Sequence, residues 1–552
     1  MSQKYLAKAL GKDYQKEYYI WDCAAGTGNL IVDLNDKYKI YASTLDTSDV
    51  DIMLDLYGDR TLLKEHIFQF DFLNDEFFDK PCEKHGDKID LRCKDCKESK
   101  LPKSLQAILQ DPQKREKLII YINPPYAEAA SATTATQKAA AEGINKNKAK
   151  VATDSTIYLR YKDSMGKASN ELFAQFFFRI YKEIPNCTLA AFSTLKYVNS
   201  SNFIKFRKVF KAKFLKGFIG PAYSFDNVKG SFPIGFLIWD LSKNDKPMQK
   251  SIKLDVYDDK NEYVEMKKIS NYDNKKFINQ WYAKFYDNTK EIGVMNTRGN
   301  DFQNQNYIRI TSDNNHNHTN IITANNLVLT CIYLAVRHTI PATWLNDRDQ
   351  FLYPNDTWKD DVEFQNDCLA FTLFHGQNRI TAKEGVNHFI PFREDEINTR
   401  SRFESHFMRD FIDGKIQEDS SNATSKSRVS LFEEEIQSFI PTKPLVFSQE
   451  AQAVFEAGRE IYKYYHQNFE KIPEIHSQHK NEFYKNYNPN VSLYDIKGYF
   501  QGFKENGQGK TKMNAKSIDS AYNALIAELR YALEKLAKRI EPKIYEYGFL
   551  LE

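Results

Sequence analysis

Short apolar and β-branched runs alternate with amphipathic stretches over the first 240 residues or so. YYIWD (18–22), KIYASTL (39–45), HIFQF (66–70), KLIIYI (117–122), TLAAFST (188–194) and IGFLIWD (234–240) are too short for buried helices and read as strands. Helical spacing separates several of them, in NELFAQFFFRIYKEI (170–184) and NFIKFRKVFKAKFL (202–215). Such alternation predicts an α/β domain with a largely parallel sheet, and leaves open whether the last strand runs antiparallel. Residues 75–116 and 127–169 interrupt the rhythm. The first insertion carries closely spaced cysteines; the second is rich in Ala, Thr and Lys and reads as a mobile loop.

Beyond residue 245 the pattern becomes irregular, and aromatic runs mix with polar stretches such as TSDNNHNH (311–318). The end of the chain is helical again. Tyr522, Leu525, Ile526, Leu529, Leu533, Leu536 and Ile540 recur at spacings of three and four, with Ser517 as the expected cap. The expected organisation is 1–245 as one domain, 246–440 as a mixed region and 441–552 as a mainly helical region. No internal repeat is visible.

Composition narrows the function classes. A chain of 552 residues with 41% hydrophobic and 27% charged residues has the make-up of a globular protein. No run approaches the roughly 18 apolar residues of a membrane span, and the first residues lack the apolar core of a signal peptide. The expected location is cytoplasmic, where seven cysteines argue against a disulfide framework. A formal net charge of +3 does not by itself announce a nucleic-acid partner.

The chemistry gathers at strand ends. Asp22-Cys23-Ala24-Ala25-Gly26-Thr27-Gly28-Asn29-Leu30 follows the first strand and precedes an expected helix. Gly26 and Gly28 allow a sharp turn and close approach of a ligand, at the end of the sheet where open α/β folds bind one. Asp46 closes the next strand 20 residues beyond Gly26, the spacing at which an acid holds ribose hydroxyls; Asp49 is the fallback. The loop lacks both a third dinucleotide-type glycine and a phosphate-loop lysine, so a nucleoside without a pyrophosphate fits best. Asp71, after the third strand, is placed to accept from an adenine amino group. Asp22, Ala24, Gly26, Gly28, Asp46 and Asp71 are therefore the candidate cofactor contacts.

Asn123-Pro124-Pro125-Tyr126 ends the strand KLIIYI. Two prolines fix φ and remove two donors, leaving a rigid turn of acceptors. The Asn123 side-chain oxygen and the Pro124 carbonyl can receive two hydrogen bonds from one amino group. Tyr126 offers a flat face for a base.

Together these two motifs resemble the amino-methyltransferases of bacterial restriction–modification systems, in the gamma order of the adenine-specific enzymes. The resemblance covers about residues 18–240. Asn387-His388-Phe389-Ile390-Pro391-Phe392 and Tyr545-Glu546-Tyr547-Gly548-Phe549-Leu550 look like the larger members, less specifically. It implies a Rossmann-like S-adenosylmethionine-dependent methyltransferase domain, then a mixed α+β DNA target-recognition region with a helical C-terminus. It also implies a double-stranded DNA partner, adenine flipped from the duplex and in-line methyl transfer to its N6 amino group. Asn123, Pro124, Pro125 and Tyr126 would carry the reaction, with Phe225 packed on the flipped base and Phe232 as second choice.

The family usually has an upstream cofactor-binding segment, often with a Thr-Pro pair. Only 21 residues precede Asp22 and they contain none. The expectation is a chain that is the later part of a larger protein, or one that works beside a restriction endonuclease. An inactive DNA-binding fragment, or a methyltransferase of RNA adenine or protein glutamine, are the alternatives.

Cys82-x2-His85 and Cys93-x2-Cys96 are two chelating pairs suited to one structural zinc. Lys138, Lys146, Lys148 and Lys150, and the cluster Lys205, Arg207, Lys208, Lys211, Lys213 and Lys216, could contact phosphates or simply face solvent. Asp255 with Glu265-Met266-Lys267 superficially resembles a nuclease pattern but reads better as a charged hairpin.

Overall fold

The computed structural model describes residues 1–82, 93, 96–126, 153–225, 230–242, 246–313, 319–416, 439–505 and 511–551. The chain forms two compact units, Met1–Asp273 and Asn274–Glu552.

The first unit is the Rossmann-like α/β domain expected from the alternating pattern. Its strands are β1 (Tyr19–Asp22), β2 (Ile40–Thr44), β3 (Ile67–Gln69), β4 (Leu118–Ile122), β5 (Thr188–Thr194), β6 (Lys213–Pro221), β7 (Pro233–Asp240), β8 (Ser251–Tyr257) and β9 (Tyr263–Ser270). They make one sheet in the order β3-β2-β1-β4-β5-β7-β6-β8-β9. β7 runs antiparallel to both β5 and β6, which settles the question the sequence left open.

β4 is buried along its whole length, as a strand covered on both faces must be. One face takes Ile20, Ile40, Ile119, Tyr121 and Phe236, under helices α1 (Ser2–Leu10) and α2 (Thr47–Tyr57). On α1, Tyr5 packs against Phe218 of β6, its ring 4.9 Å away, and its hydroxyl donates to the Asp255 carboxylate of β8. The other face carries Trp21, edge-on to Phe72 and Phe77, and Trp239, whose indole N–H donates to the Tyr197 hydroxyl at 2.8 Å.

Several expectations are corrected. No helix follows Gly28: turns run from there to Asp33, because Asp33, Asn35 and Asp36 leave too short a run for a helix to propagate. The stretch 202–215 is α-helical only over Ile204–Val209, after a 3-10 turn at Ser201–Phe203, and its end already belongs to β6. The second insertion is not all loop. Thr156–Met165 is a helix capped by Ser155, whose hydroxyl accepts from the Tyr158 amide, with Ile157 and Met165 buried; 127–152 lie outside the described residues. The hairpin of Asp255 and Glu265-Met266-Lys267 is present as β8–β9, and it adds to the β6 edge. The first unit therefore ends at 273 rather than 245, since the main-chain groups of β6 pair with that hairpin.

The second unit is α+β with a helical C-terminus. It holds a four-stranded sheet over residues 293–379 and the helices Leu327–His338, Val362–Phe374, Gln449–Asn468, Leu493–Gln501 and Ser520–Glu546. No boundary falls at 440, because one core runs across it. Phe374 meets Phe455 edge-on at 5.3 Å, and Asp367 accepts from both the Ser448 hydroxyl and Arg539. The last helix is capped by Asp519, not Ser517, whose hydroxyl donates to the Phe500 carbonyl. Among the described residues no helix is long and apolar enough to cross a membrane.

Candidate functional site

β1 has β2 on one side and β4 on the other, so the chain order reverses between β1 and β4. A crevice opens at such a point beyond the carboxyl ends of the strands. The register puts Trp21 level with Ile120, so the turns after Asp22 and after Ile122 leave the sheet side by side. The strand ends carrying Asp46 and Asp71 follow on the same edge, with Ala42 beside Asp22 and Gln69 beside Thr44.

The glycine turn has two differently used glycines. Gly28 (φ +86°) is closed in from below: an added Cβ would lie 2.7 Å from the Tyr57 ring, and Met53 is close by. Gly26 (φ +53°) would meet nothing within 4 Å, so this side of the turn faces open space. The turn is held by the Ala25 amide donating to the Ser43 carbonyl and the Gly28 amide donating to the Ala25 carbonyl. Asp22 lies beneath it, 1% exposed. Its Oδ1 accepts from the Ala24 amide at 3.0 Å, but burial outweighs that bond and pushes the carboxyl up to about 7.

Asp46 is exposed at the start of α2 and makes no capping bond there, so its carboxylate is available to a ligand. Asp49 accepts from the Thr44 hydroxyl at 3.4 Å. Asp71 is more committed. Its two oxygens accept from the Leu73 amide and the Asn74 side chain, at 3.0 and 2.8 Å.

Asn123 and Pro125 are exposed, Pro124 is buried and Tyr126 is half-buried against the core. The Tyr126 hydroxyl donates to Asn123 Oδ1 at 2.5 Å, a bond the sequence did not suggest. Burial pushes this phenol well up, so it stays a donor. The Asn123 oxygen keeps a second lone pair for another donor. Phe225 follows β6 on the same edge of the sheet, half-buried and edge-on to Phe192 of β5 at 5.6 Å. Phe232 is tied down by Gly230, whose added Cβ would strike its ring, and by the Ala222 amide bonding its carbonyl.

A residue missed in the sequence is Arg179, fully buried within the apolar helix Leu172–Glu183. Its guanidinium donates to the carbonyls of Phe72 and Asp75 and to Glu183, and stacks 3.9 Å over Phe77. It thus pins the segment that follows Asp71. The available signal was a charge at the centre of FFFRIYKE with an acid four residues on.

Other candidates prove structural. Arg207 is buried in a two-pronged bond to Asp273 rather than free for phosphate. Asn387 is buried, bonding the Asn490 carbonyl, and Tyr547 donates to Asp361. Cys82, Cys93 and Cys96 come together; His85 and Lys138, Lys146, Lys148 and Lys150 lie outside the described residues.

No protein-family model matches this chain, and no curated protein does. Solved structures do. The chain is similar to the DrdV–DNA complex, at 15% identity over 46% of this chain and 25% of that one, with a TM-score of 0.29. It is similar to the ATP-dependent Type ISP restriction-modification enzyme LlaBIII bound to DNA, at 14% identity over 55% and 23%, with a TM-score of 0.31. A third is the type I restriction-modification system methyltransferase subunit from Streptococcus thermophilus, at 13% identity over 52% and 47%, with a TM-score of 0.27. The chain spans about a quarter of the length of the first two.

Proposed function

We propose that this chain transfers a methyl group from S-adenosylmethionine to the N6 amino group of adenine in double-stranded DNA, as the modification activity of a restriction–modification system. The observation that carries the reading is the Asn123–Tyr126 turn, standing beside the glycine turn where the sheet reverses order.

The residues fit the methyl donor. Open space over Gly26 admits a nucleoside, exposed Asp46 suits ribose hydroxyls, and buried Asp22 suits a cationic amino-acid end. When bound, S-adenosylmethionine supplies an electrophilic methyl on a sulfonium sulfur. Asn123 Oδ1 and the Pro124 carbonyl accept the two amino hydrogens of adenine and aim its nitrogen lone pair at that methyl. The amino group is otherwise hidden in base pairing, so the base must be flipped, to rest on Tyr126 and Phe225. No strong base is required when the proton leaves to solvent after the new N–C bond forms, so positioning supplies most of the rate. Exposed Lys205 and Lys208 are available for phosphates.

The test is to incubate the chain with methyl-labelled S-adenosylmethionine and unmethylated bacterial DNA, then digest to nucleosides. Label in N6-methyladenine is the expected result. Label in cytosine, RNA or protein instead would move the reading to that substrate, and cofactor binding without transfer to any of them would reject it in favour of a DNA-binding fragment.

Asp22 gives a second prediction. Below about pH 7 its carboxyl holds a proton that a cationic ligand must displace, so affinity for S-adenosylmethionine is expected to rise by up to about tenfold per pH unit toward 7. The sign for folding is opposite. The unfolded chain releases this proton at lower pH, so Asp22 costs stability progressively as pH rises from its ordinary value to about 7. Calorimetric titration between about pH 5.5 and 7 checks the first point. A pH-independent affinity in the native chain, or an unchanged slope in Asp22→Asn, rejects it.

A further inference from the structure

We infer that Cys82, Cys93 and Cys96 form a structural zinc site that closes the insertion between β3 and β4. Their sulfur atoms all lie within 4.8 Å of one another, and Cys82 Sγ is 3.7 Å from Cys93 Sγ. Two thiolates each about 2.3 Å from one tetrahedral ion stand about 3.8 Å apart, so this pair already has the separation such an ion imposes. The Cys96 amide donates to the Cys93 carbonyl at 3.2 Å, the tight turn by which a Cys-x2-Cys pair chelates. The Cys82 amide donates to Cys96 Sγ, 3.4 Å away, the kind of supporting bond that orients a metal-ligating group.

The insertion also needs a staple. Its root is well held: Lys80 and Lys97 exchange both main-chain hydrogen bonds, at 2.8 and 2.9 Å, and Phe77 is buried beneath Arg179. Between Lys80 and Lys97 the only large aliphatic residues are Ile89 and Leu91, against eight charged Asp, Glu, Lys and Arg side chains from Glu83 to Asp95 and one histidine. That segment has almost nothing apolar to bury against the entropy of closing it. A metal held by thiolates supplies the missing cohesion outright. Three soft ligands select zinc over magnesium or calcium, and the fourth corner goes to a donor beyond these three.

The test uses the full chain purified without chelators and under reducing conditions. Elemental analysis is expected to find about one zinc per chain. Cobalt exchanged into the site is expected to show thiolate-to-metal charge transfer and the intense visible bands of a tetrahedral ion. Both signals should vanish in Cys93→Ser/Cys96→Ser. Absence of zinc in the native chain together with no cobalt spectrum overturns the proposal, as does a double variant that keeps its metal. Should the double variant fail to fold, the native cobalt spectrum decides alone, because its charge-transfer intensity counts the bound thiolates. None of these readouts depends on methyl transfer, so the zinc site stands or falls separately from the proposed reaction.

Discussion

Asn123→Ala is expected to lower the rate of methyl transfer by about 10²–10³-fold while leaving the affinity for S-adenosylmethionine within about twofold. The asymmetry follows from geometry. Asn123 follows β4, whereas the groups assigned to the cofactor follow β1, β2 and β3, so the substitution removes an acceptor for the target amino group without touching the glycine turn. Because Asn123 is exposed, stability should hardly change. Tyr126→Phe sharpens the test. It deletes the hydroxyl that bonds Asn123 Oδ1 at 2.5 Å but keeps a ring for stacking, so the expected loss is far smaller, about tenfold or less. Single-turnover kinetics and cofactor calorimetry on the three proteins would decide. Equal losses in both variants would mean that the Tyr126–Asn123 bond, not acceptance from the base, is what the turn is for. Weakened cofactor binding in Asn123→Ala would place the residue in the wrong half of the site.

Arg179→Met should destabilise the first unit by about 3–5 kcal/mol, lowering its melting temperature by about 10 °C or more. Met keeps much of the volume, so the expected loss is chemical rather than a cavity. The carbonyls of Phe72 and Asp75 lose their buried donor, Glu183 loses its partner at 2.8 Å, and Phe77 loses the cation above it. Because the same bonds hold the chain just after Asp71, cofactor affinity should fall with stability. Thermal unfolding with and without S-adenosylmethionine measures both. A melting shift under about 2 °C would show that the guanidinium is not holding this loop.

The parallel strands were legible because β1, β2, β4 and β5 are buried along nearly their whole length and therefore written mostly in apolar and β-branched letters. Thr188–Thr194 coincides with its sequence reading, and the others differ by a residue or two at the ends. β6 was not legible. Phe203, Phe206, Phe210 and Phe214 continue a helical spacing across the point where the helix stops, and Gly217 and Gly220 dilute the strand signal. Gly217 is there because an added Cβ would lie 2.6 Å from the Phe236 carbonyl, a constraint only the neighbouring strand reveals. The candidate site was legible for the opposite reason. Its turns sit at strand ends, where local chemistry must be spelled out in glycine, proline and asparagine. What the sequence could not give were the supports from distant segments: Tyr57 under Gly28, Arg179 behind Asp71, and the Phe500 carbonyl that takes the Ser517 hydroxyl and leaves the cap to Asp519.

The contact between Tyr5 and Asp255 joins residues 250 positions apart. On the ribosome α1 is made before its last partner, which emerges only after most of the unit, roughly 10–50 seconds later at about 5–20 residues per second. That bond cannot form until β8 has emerged, so α1 gains its last partner late in synthesis. A fragment stopped at 245, where the strand–helix rhythm fades, would leave the Tyr5 hydroxyl without its carboxylate and the β6 edge open to another chain. Expression trials of the isolated domain should run to residue 273, and the shorter fragment should be the one that aggregates.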